Sequence, residues 1–283
     1  MTARGAPVPF TIGLKPIEEP DWLRPDDRLP LYLDEKARLN AVDRDAVFAS
    51  IDGMTAAQAE AEAMVSTWLA ARSERHDERG EVRGRREPDA ELPPLLRAAM
   101  RSCEDLVLMR RVESGWLLAA ASLHFPSAWV LAEKIGRPLQ TVHAPVPAFQ
   151  EGTRYAALID RMFDNLRPGT VVARGNWSLH AHGDLHLPRN KIDLDDLPGD
   201  ELDRPLYRRA ERQTLRRLPV SGDILFTIDV SVHPFEAVNA PERSAIATHV
   251  RALDRDQRAY KGMVDSAEAV AARLDPATTA AAR

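Results

Sequence analysis

DLVLMRRV (Asp105–Val112) and GWLLAAASLHF (Gly115–Phe125), joined through Glu113-Ser114-Gly115, decide the fold. Both runs are apolar and of strand length. A short polar segment with a glycine between two such runs predicts an antiparallel hairpin. Val171–Leu179 and Asp223–Val232 are two further strand candidates, and DILFTIDV in the second is apolar and β-branched, as packed strands prefer.

Outward from these strands the periodicity becomes helical. Leu31–Val47 reads as a short helix with a charged outer face. Thr55 caps Ala56–Arg72, which sets Met64, Val65, Trp68 and Leu69 on one stripe. Tyr155–Leu166 is amphipathic, and Pro241–Leu274 carries apolar residues at roughly helical spacing. Pro7–Pro30 is too rich in proline to fold alone and is expected to wrap, with Phe10 and Trp22 as anchors. Hairpin strands flanked by helices predict an α+β protein with an antiparallel sheet. The expected organisation is an extended arm (1–30), a main domain (31–235) interrupted by a charged linker (72–91), a helical segment (236–274) and a disordered tail (275–283).

Composition narrows the function classes. The chain has 283 residues, 44% hydrophobic and 29% charged, with a net charge of −5. That balance disfavours a dedicated nucleic-acid binder, whose affinity comes from clustered cations. No apolar run reaches the length of a bilayer span, and Met1–Phe10 does not resemble a secretory signal. Cys103 stands alone, so no intrachain disulfide and no cysteine-rich metal site can form. Glu104 and Asp105 beside it disfavour a thiolate, so a buried structural thiol is expected rather than an iron ligand. The default location is the cytoplasm.

Three segments are odder than a core requires. In HFPSAWVLAEKIGRPLQTVHAPVP (His124–Pro147) four prolines rule out a continuous helix or strand, and long irregular loops commonly form pocket walls. His143 sits between rigid neighbours there. A fixed imidazole suits an axial haem ligand, and equally suits a hydrogen-bonded loop histidine. In RGNWSLHAHGDLHLP (Arg174–Pro188), His180, His182 and His186 cannot all be presented by one regular element, which favours a surface cluster over zinc or non-haem iron. In YRRAERQTLRRLPVSGDILFTIDV (Tyr207–Val230), five arginines crowd a predicted short helix ending at Pro219. Arg208 and Glu211 would pair at i, i+3. Such arginines serve a solvated face or grip carboxylates such as haem propionates or a folate tail.

FPSAWVLAEKIGRPLQTVHAPVP, RGNW and ERQTLRRLPVSGDILFTI together resemble the haem-dependent oxidative N-demethylases, the family of the dimethylamine monooxygenase oxygenase component. PFTIGLKPI, DWLRPDD and CEDLVLMRR also fit, so the likeness runs from about Pro9 to His233. The resemblance implies a PAS-like domain enclosing haem b and fed by a separate flavin and iron–sulfur reductase. It further implies O₂-dependent demethylation of a small methylated amine with release of formaldehyde, and a homo- or hetero-oligomeric assembly. On the matching positions His143 becomes the iron ligand. Lys134, Arg174, Arg216 and Arg217 become propionate partners, and Glu211, with Arg208 or Tyr207, lines the amine pocket. The competing reading is a PAS-like haem or small-ligand sensor, or a non-catalytic subunit. The His-rich stretch after the NW motif and the charged 72–91 stretch depart from the family pattern and can alter substrate or docking.

Overall fold

The computed structural model describes residues 6–24, 27–76, 88–150, 152–189, 194–197 and 205–275. Most of the charged 72–91 stretch and the tail beyond 275 lie outside the described residues. Seven strands among them make one antiparallel sheet: β1 (Lys15–Ile17), β2 (Phe48–Ser50), β3 (Asp105–Val112), β4 (Gly115–Ser122), β5 (Val171–His180), β6 (Tyr207–Arg217) and β7 (Ile224–Pro234), ordered β1-β5-β6-β7-β3-β4-β2. Helices α1 (Leu29–Val42), α2 (Arg44–Val47), α3 (Thr55–His76), α4 (Pro94–Ala99), α5 (Leu131–Lys134), α6 (Leu139–Val142), α7 (Arg154–Asn165), α8 (Ala240–Ala252), α9 (Arg255–Lys261) and α10 (Ala267–Leu274) flank it. The α+β expectation holds.

The hairpin forms as its sequence predicts. Val112 pairs with Gly115 across the two-residue turn Glu113-Ser114, and Gly115 adopts φ 124° there, a backbone region that side chains resist. The arm wraps as expected and also contributes β1, which pairs with β5. Trp22 is fully buried, edge-on to Trp68 at 6.0 Å, and Phe10 meets the ring of Tyr260 at 5.7 Å. Two helical expectations are subdivided. Asp43 accepts a hydrogen bond from the Ala46 amide and so separates α1 from α2. The C-terminal stretch breaks after α8, where Asp254 caps α9, and again at the left-handed Gly262.

The main correction concerns the arginine-dense segment. Tyr207–Arg217 is a central strand, paired with β5 along its whole length and with β7 on its other edge. Its arginines suggest a solvated helix face. Its period-two arrangement, with each face packed on a different layer, is what the tertiary structure selects.

That alternation defines two faces. One carries Val107, Trp116, Leu215, Ile228 and Val230, and packs on α1 and on the loop and helices from Phe125 to Leu166; it is called here the loop face. The other carries Leu106, Leu108, Val171 and Leu225, and packs on α3, α4 and Trp22 of the arm; it is called the arm face. Helices α8 and α10 build a third core against Trp177 and Leu179.

Arg209 fixes the loop face in place. Its fully buried guanidinium donates to the carbonyls of Phe125 (2.5 Å), Pro126 (3.2 Å), Asp184 (3.4 Å) and Leu185 (2.9 Å). From β3, the buried carboxylate of Asp105 accepts the amides of His124 (2.8 Å) and Phe125 (2.9 Å). The exits of β4 and β5 are thereby tied to the sheet centre. Replacing Arg209 by Met strands several buried carbonyls, each worth about 1–3 kcal/mol when unpaired. Urea unfolding of Arg209→Met is expected to show a loss of at least about 3 kcal/mol with an unchanged slope.

Candidate functional site

The proline-framed loop breaks into two single turns, α5 and α6, because Pro126, Pro138, Pro145 and Pro147 punctuate it. His143 follows α6 directly. Its backbone N–H bonds the Leu139 carbonyl, and its Nδ1 lies 2.9 Å from the same oxygen. With that carbonyl as acceptor, the proton sits on Nδ1 and the lone pair on Nε2. The ring stacks on Phe149, with centroids 6.2 Å apart, and Phe149 stacks on Tyr155 at 5.3 Å. Leu139, Gln140, Ile159 and Asp160 complete a hollow of about 10 Å³ beside it, room for one water.

Arg174, on the loop face of β5, stands within electrostatic reach of His143. Its Nε is buried and has no hydrogen-bond partner among the described residues. Burial pushes the Arg174 guanidinium below its ordinary value, and the Glu211 carboxylate opposes that shift. Burial likewise holds His143 below the ordinary imidazole range; the Leu139 carbonyl opposes, while Arg174 and Lys134 add to the depression. Lys134 Nζ reaches the Val142 carbonyl at 3.4 Å, so it too sits against the His143 turn. Glu211 accepts from Gln213 Nε2 at 2.9 Å and from Asn176 at 3.4 Å. His143, Lys134, Arg174 and Glu211 therefore form one group on the loop face.

The remaining candidates disperse, for a reason already visible in β6. In a strand, residues three apart point to opposite faces. Arg208 consequently does not pair with Glu211; it lies on the arm face, 3.0 Å from Glu242. Arg216 is on that face as well, bonded to Glu19 at 2.9 Å and 4.0 Å from the Trp22 ring centre. Arg217 returns to the loop face, where it donates to Leu166 (2.6 Å), Gly222 (2.8 Å) and Phe163 (2.5 Å) carbonyls and so tethers the end of α7. Tyr207 ends β6 opposite His180, its ring lying over Gly183; a Cβ on that glycine would come within 2.8 Å. Cys103 is buried in the core, as expected of a structural thiol.

The His-rich stretch does not gather into a ligand set. His180 Nε2 contacts Ser178 at 2.7 Å, His182 faces Asp184 at 3.5 Å, and His186 Nδ1 contacts the His124 carbonyl at 2.7 Å. Among the described residues no group of three His, Cys, Asp or Glu side chains can hold a metal ion. Nor is any helix among them long and apolar enough to cross a membrane.

The family model for haem-dependent oxidative N-demethylase, alpha subunit-like, matches residues 13–271. The chain belongs to this family. No curated protein matches it. The family's name denotes haem dependence, oxidoreductase chemistry and an alpha subunit, which implies a partner subunit.

The loop-face group fits such a cofactor in its donors. An imidazole with its Nε2 lone pair available suits iron, and an unpartnered buried Arg174 Nε suits a carboxylate. The hollow beside His143, about 10 Å³, is far smaller than a porphyrin, and Phe149 is the aromatic ring in its wall. The sequence alone does not reveal Asn176 and Gln213, since their proximity to Glu211 arises from strand register. The RGNW motif carried the only signal for Asn176.

A histidine held neutral in the fold binds fewer protons than its unfolded counterpart, so stability falls as pH drops through the unfolded pKa near 6.5 and below. NMR titration is expected to place the His143 midpoint below 6.5. Replacing Arg174 by Leu removes a neighbouring cation and should raise that midpoint.

Proposed function

We propose that this chain is the haem-binding oxygenase subunit of an oxidative N-demethylase acting on a small methylated amine. The observation that carries the reading is the pairing of His143, its Nδ1 engaged by Leu139, with the unpartnered Arg174 Nε on one sheet face. His143 Nε2 would ligate the haem iron. Lys134 and Arg174 hold the propionates of haem b. When bound, the haem activates O₂ for hydroxylation of the N-methyl carbon, with formaldehyde and the demethylated amine as products and electrons from a separate flavin and iron–sulfur reductase.

The protein's own part is binding and orientation. The Leu139 carbonyl fixes the tautomer and the plane of the imidazole, which keeps the ligating nitrogen deprotonated. The depressed basicity of His143 serves the same end, since a protonated ring cannot bind metal. Glu211 is the anionic group that attracts a protonated amine, with Asn176 and Gln213 orienting its carboxylate. Tyr207 stands further along the same face of β6, whereas Arg208 pairs with Glu242 and is left out of the amine pocket. The Phe149 and Tyr155 rings shield the His143 side from water. A PAS-like enclosure is supported by the excursion α5–α7 between β4 and β5, which lies against the same face.

Haem-supplied protein is expected to show a Soret band that His143→Ala abolishes or shifts. With reductase and a methylamine, the wild type should release formaldehyde, and Glu211→Gln should raise KM at least about tenfold by removing the charge that meets the ammonium. An unaltered Soret band in His143→Ala removes the ligand assignment. Haem binding without amine-dependent formaldehyde would favour a sensor.

A further inference from the structure

The arm face holds a second concave site, which Asn176 and Glu211 of the loop-face group border through the sheet. Gly175 on β5 lies diagonal to Ala210 on β6, and Ala210 pairs directly with Ser231 on β7, so small side chains adjoin one another across three strands. A hollow remains beside them wherever the covering layer does not descend onto the sheet. The result is a cleft of about 160 Å³, walled by Trp177, Arg212, Asp229 and Arg208, with Pro7 and Arg24 from the arm and Glu242 from α8. Pro7 comes so close to Gly175 that a Cβ there would lie 2.5 Å from it, so the arm is seated on this glycine. The Trp177 Nε1 donates to the Pro7 carbonyl at 2.8 Å, and the Arg24 amide donates to Glu104 at 2.7 Å. Both ends of the covering arm are therefore pinned.

The lining holds three arginines, Arg24, Arg208 and Arg212, and three carboxylates, Glu211, Asp229 and Glu242, but the carboxylates are engaged elsewhere than on Arg24 and Arg212. Asp229 is gripped by Arg28 through both oxygens, at 3.0 and 3.2 Å, and Glu242 is taken by Arg208 at 3.0 Å. By strand register the Glu211 side chain belongs to the loop face. Arg212 donates only to neutral carbonyls, those of Asp21 and Trp22, and Arg24 has no ion pair among the described residues. Burial depresses the Arg212 guanidinium and the neighbouring Arg24 depresses it further, while the Glu104, Asp229 and Asp21 carboxylates oppose. At the opposite end the buried Arg208 Nε has no partner among the described residues. Two guanidiniums without a direct carboxylate partner at one end, an unused N–H donor at the other and an apolar floor between them match one kind of molecule.

We propose that this cleft binds a small organic carboxylate, its carboxylate on Arg24 and Arg212 and its carbon chain over Ala210 and Trp177. Guanidiniums recognise carboxylate and phosphate alike, and the apolar floor favours the former. Succinate, acetate, inorganic phosphate and chloride at matched ionic strength are the probes, with binding followed by calorimetry and by the rise in thermal midpoint. Succinate is expected to bind saturably and more tightly than phosphate, with chloride giving no saturable response. Arg24→Gln changes an exposed side chain and should weaken succinate binding at least about tenfold. Ala210→Val fills the floor and should abolish the binding, while the unliganded thermal midpoint of each variant reports that the fold persists. Equal responses to all four anions, or succinate binding unchanged in both variants, would overturn the proposal. Phosphate binding more tightly than succinate would overturn its carboxylate assignment. Haem content is read separately by absorbance, so failure here leaves the loop-face reading intact.

Discussion

Everything on the loop face depends on a buried cation serving backbone carbonyls. Arg209 is the one fully buried arginine among the described residues, and it spends its hydrogen bonds on four carbonyls in two loops rather than on a carboxylate. A buried guanidinium is costly unless its donors are met, and loop carbonyls without strand partners are costly unless an outside donor meets them. The carbonyls answer the terminal N–H groups of Arg209, whose Nε has no partner among the described residues. Asp105 performs the complementary task for the amides of His124 and Phe125. Lys36, also fully buried, caps the carbonyls of Ala99, Ser102 and Glu104 at 3.1, 3.0 and 2.6 Å on the approach to β3. The irregular segment that presents His143 thus starts from a fixed point at the centre of the sheet.

The second constraint is the pleat of β6. Nine of its eleven residues are polar or charged, yet it is the strand flanked by β5 and β7 for its entire length. Alternation sends Arg209, Glu211 and Arg217 to one side and Arg208, Arg212 and Arg216 to the other. One sequence motif therefore supplies two surfaces with different chemistry. On the loop face Glu211 meets Arg174 and Asn176; on the arm face the arginines lock the N-terminal arm through Glu19 and the Trp22 and Asp21 carbonyls. The arginine-rich segment of this chain is thereby partly a folding device.

Much of the architecture was legible in the residues. The hairpin around Glu113-Ser114, the helices expected over Ala56–Arg72 and Tyr155–Leu166, and the anchoring by Trp22 all follow from local pattern. The strand character of Tyr207–Arg217 did not, because arginine and glutamate have good helix propensity and their burial is decided by partners distant in sequence. That single error also misplaced Arg208, which would share a helical face with Glu211 and cannot share a strand face with it. His143, Lys134 and Arg174 do gather on one side, although no spacing in the chain predicts that contact. The strands β1 and β2, three residues each, are too short to leave a periodic signal. The hollow over Gly175, Ala210 and Ser231 is likewise a property of register, invisible until three strands are aligned.

The central claim is that one face of this sheet, the face shared by Arg209 and Glu211, is the cofactor's. A crystal structure of the chain loaded with haem tests it most directly. A porphyrin is expected on that face, with His143 Nε2 on the iron and the Arg174 guanidinium on a propionate. A porphyrin seated on the Arg208 side of the sheet, or an iron held by a different side chain, would contradict it.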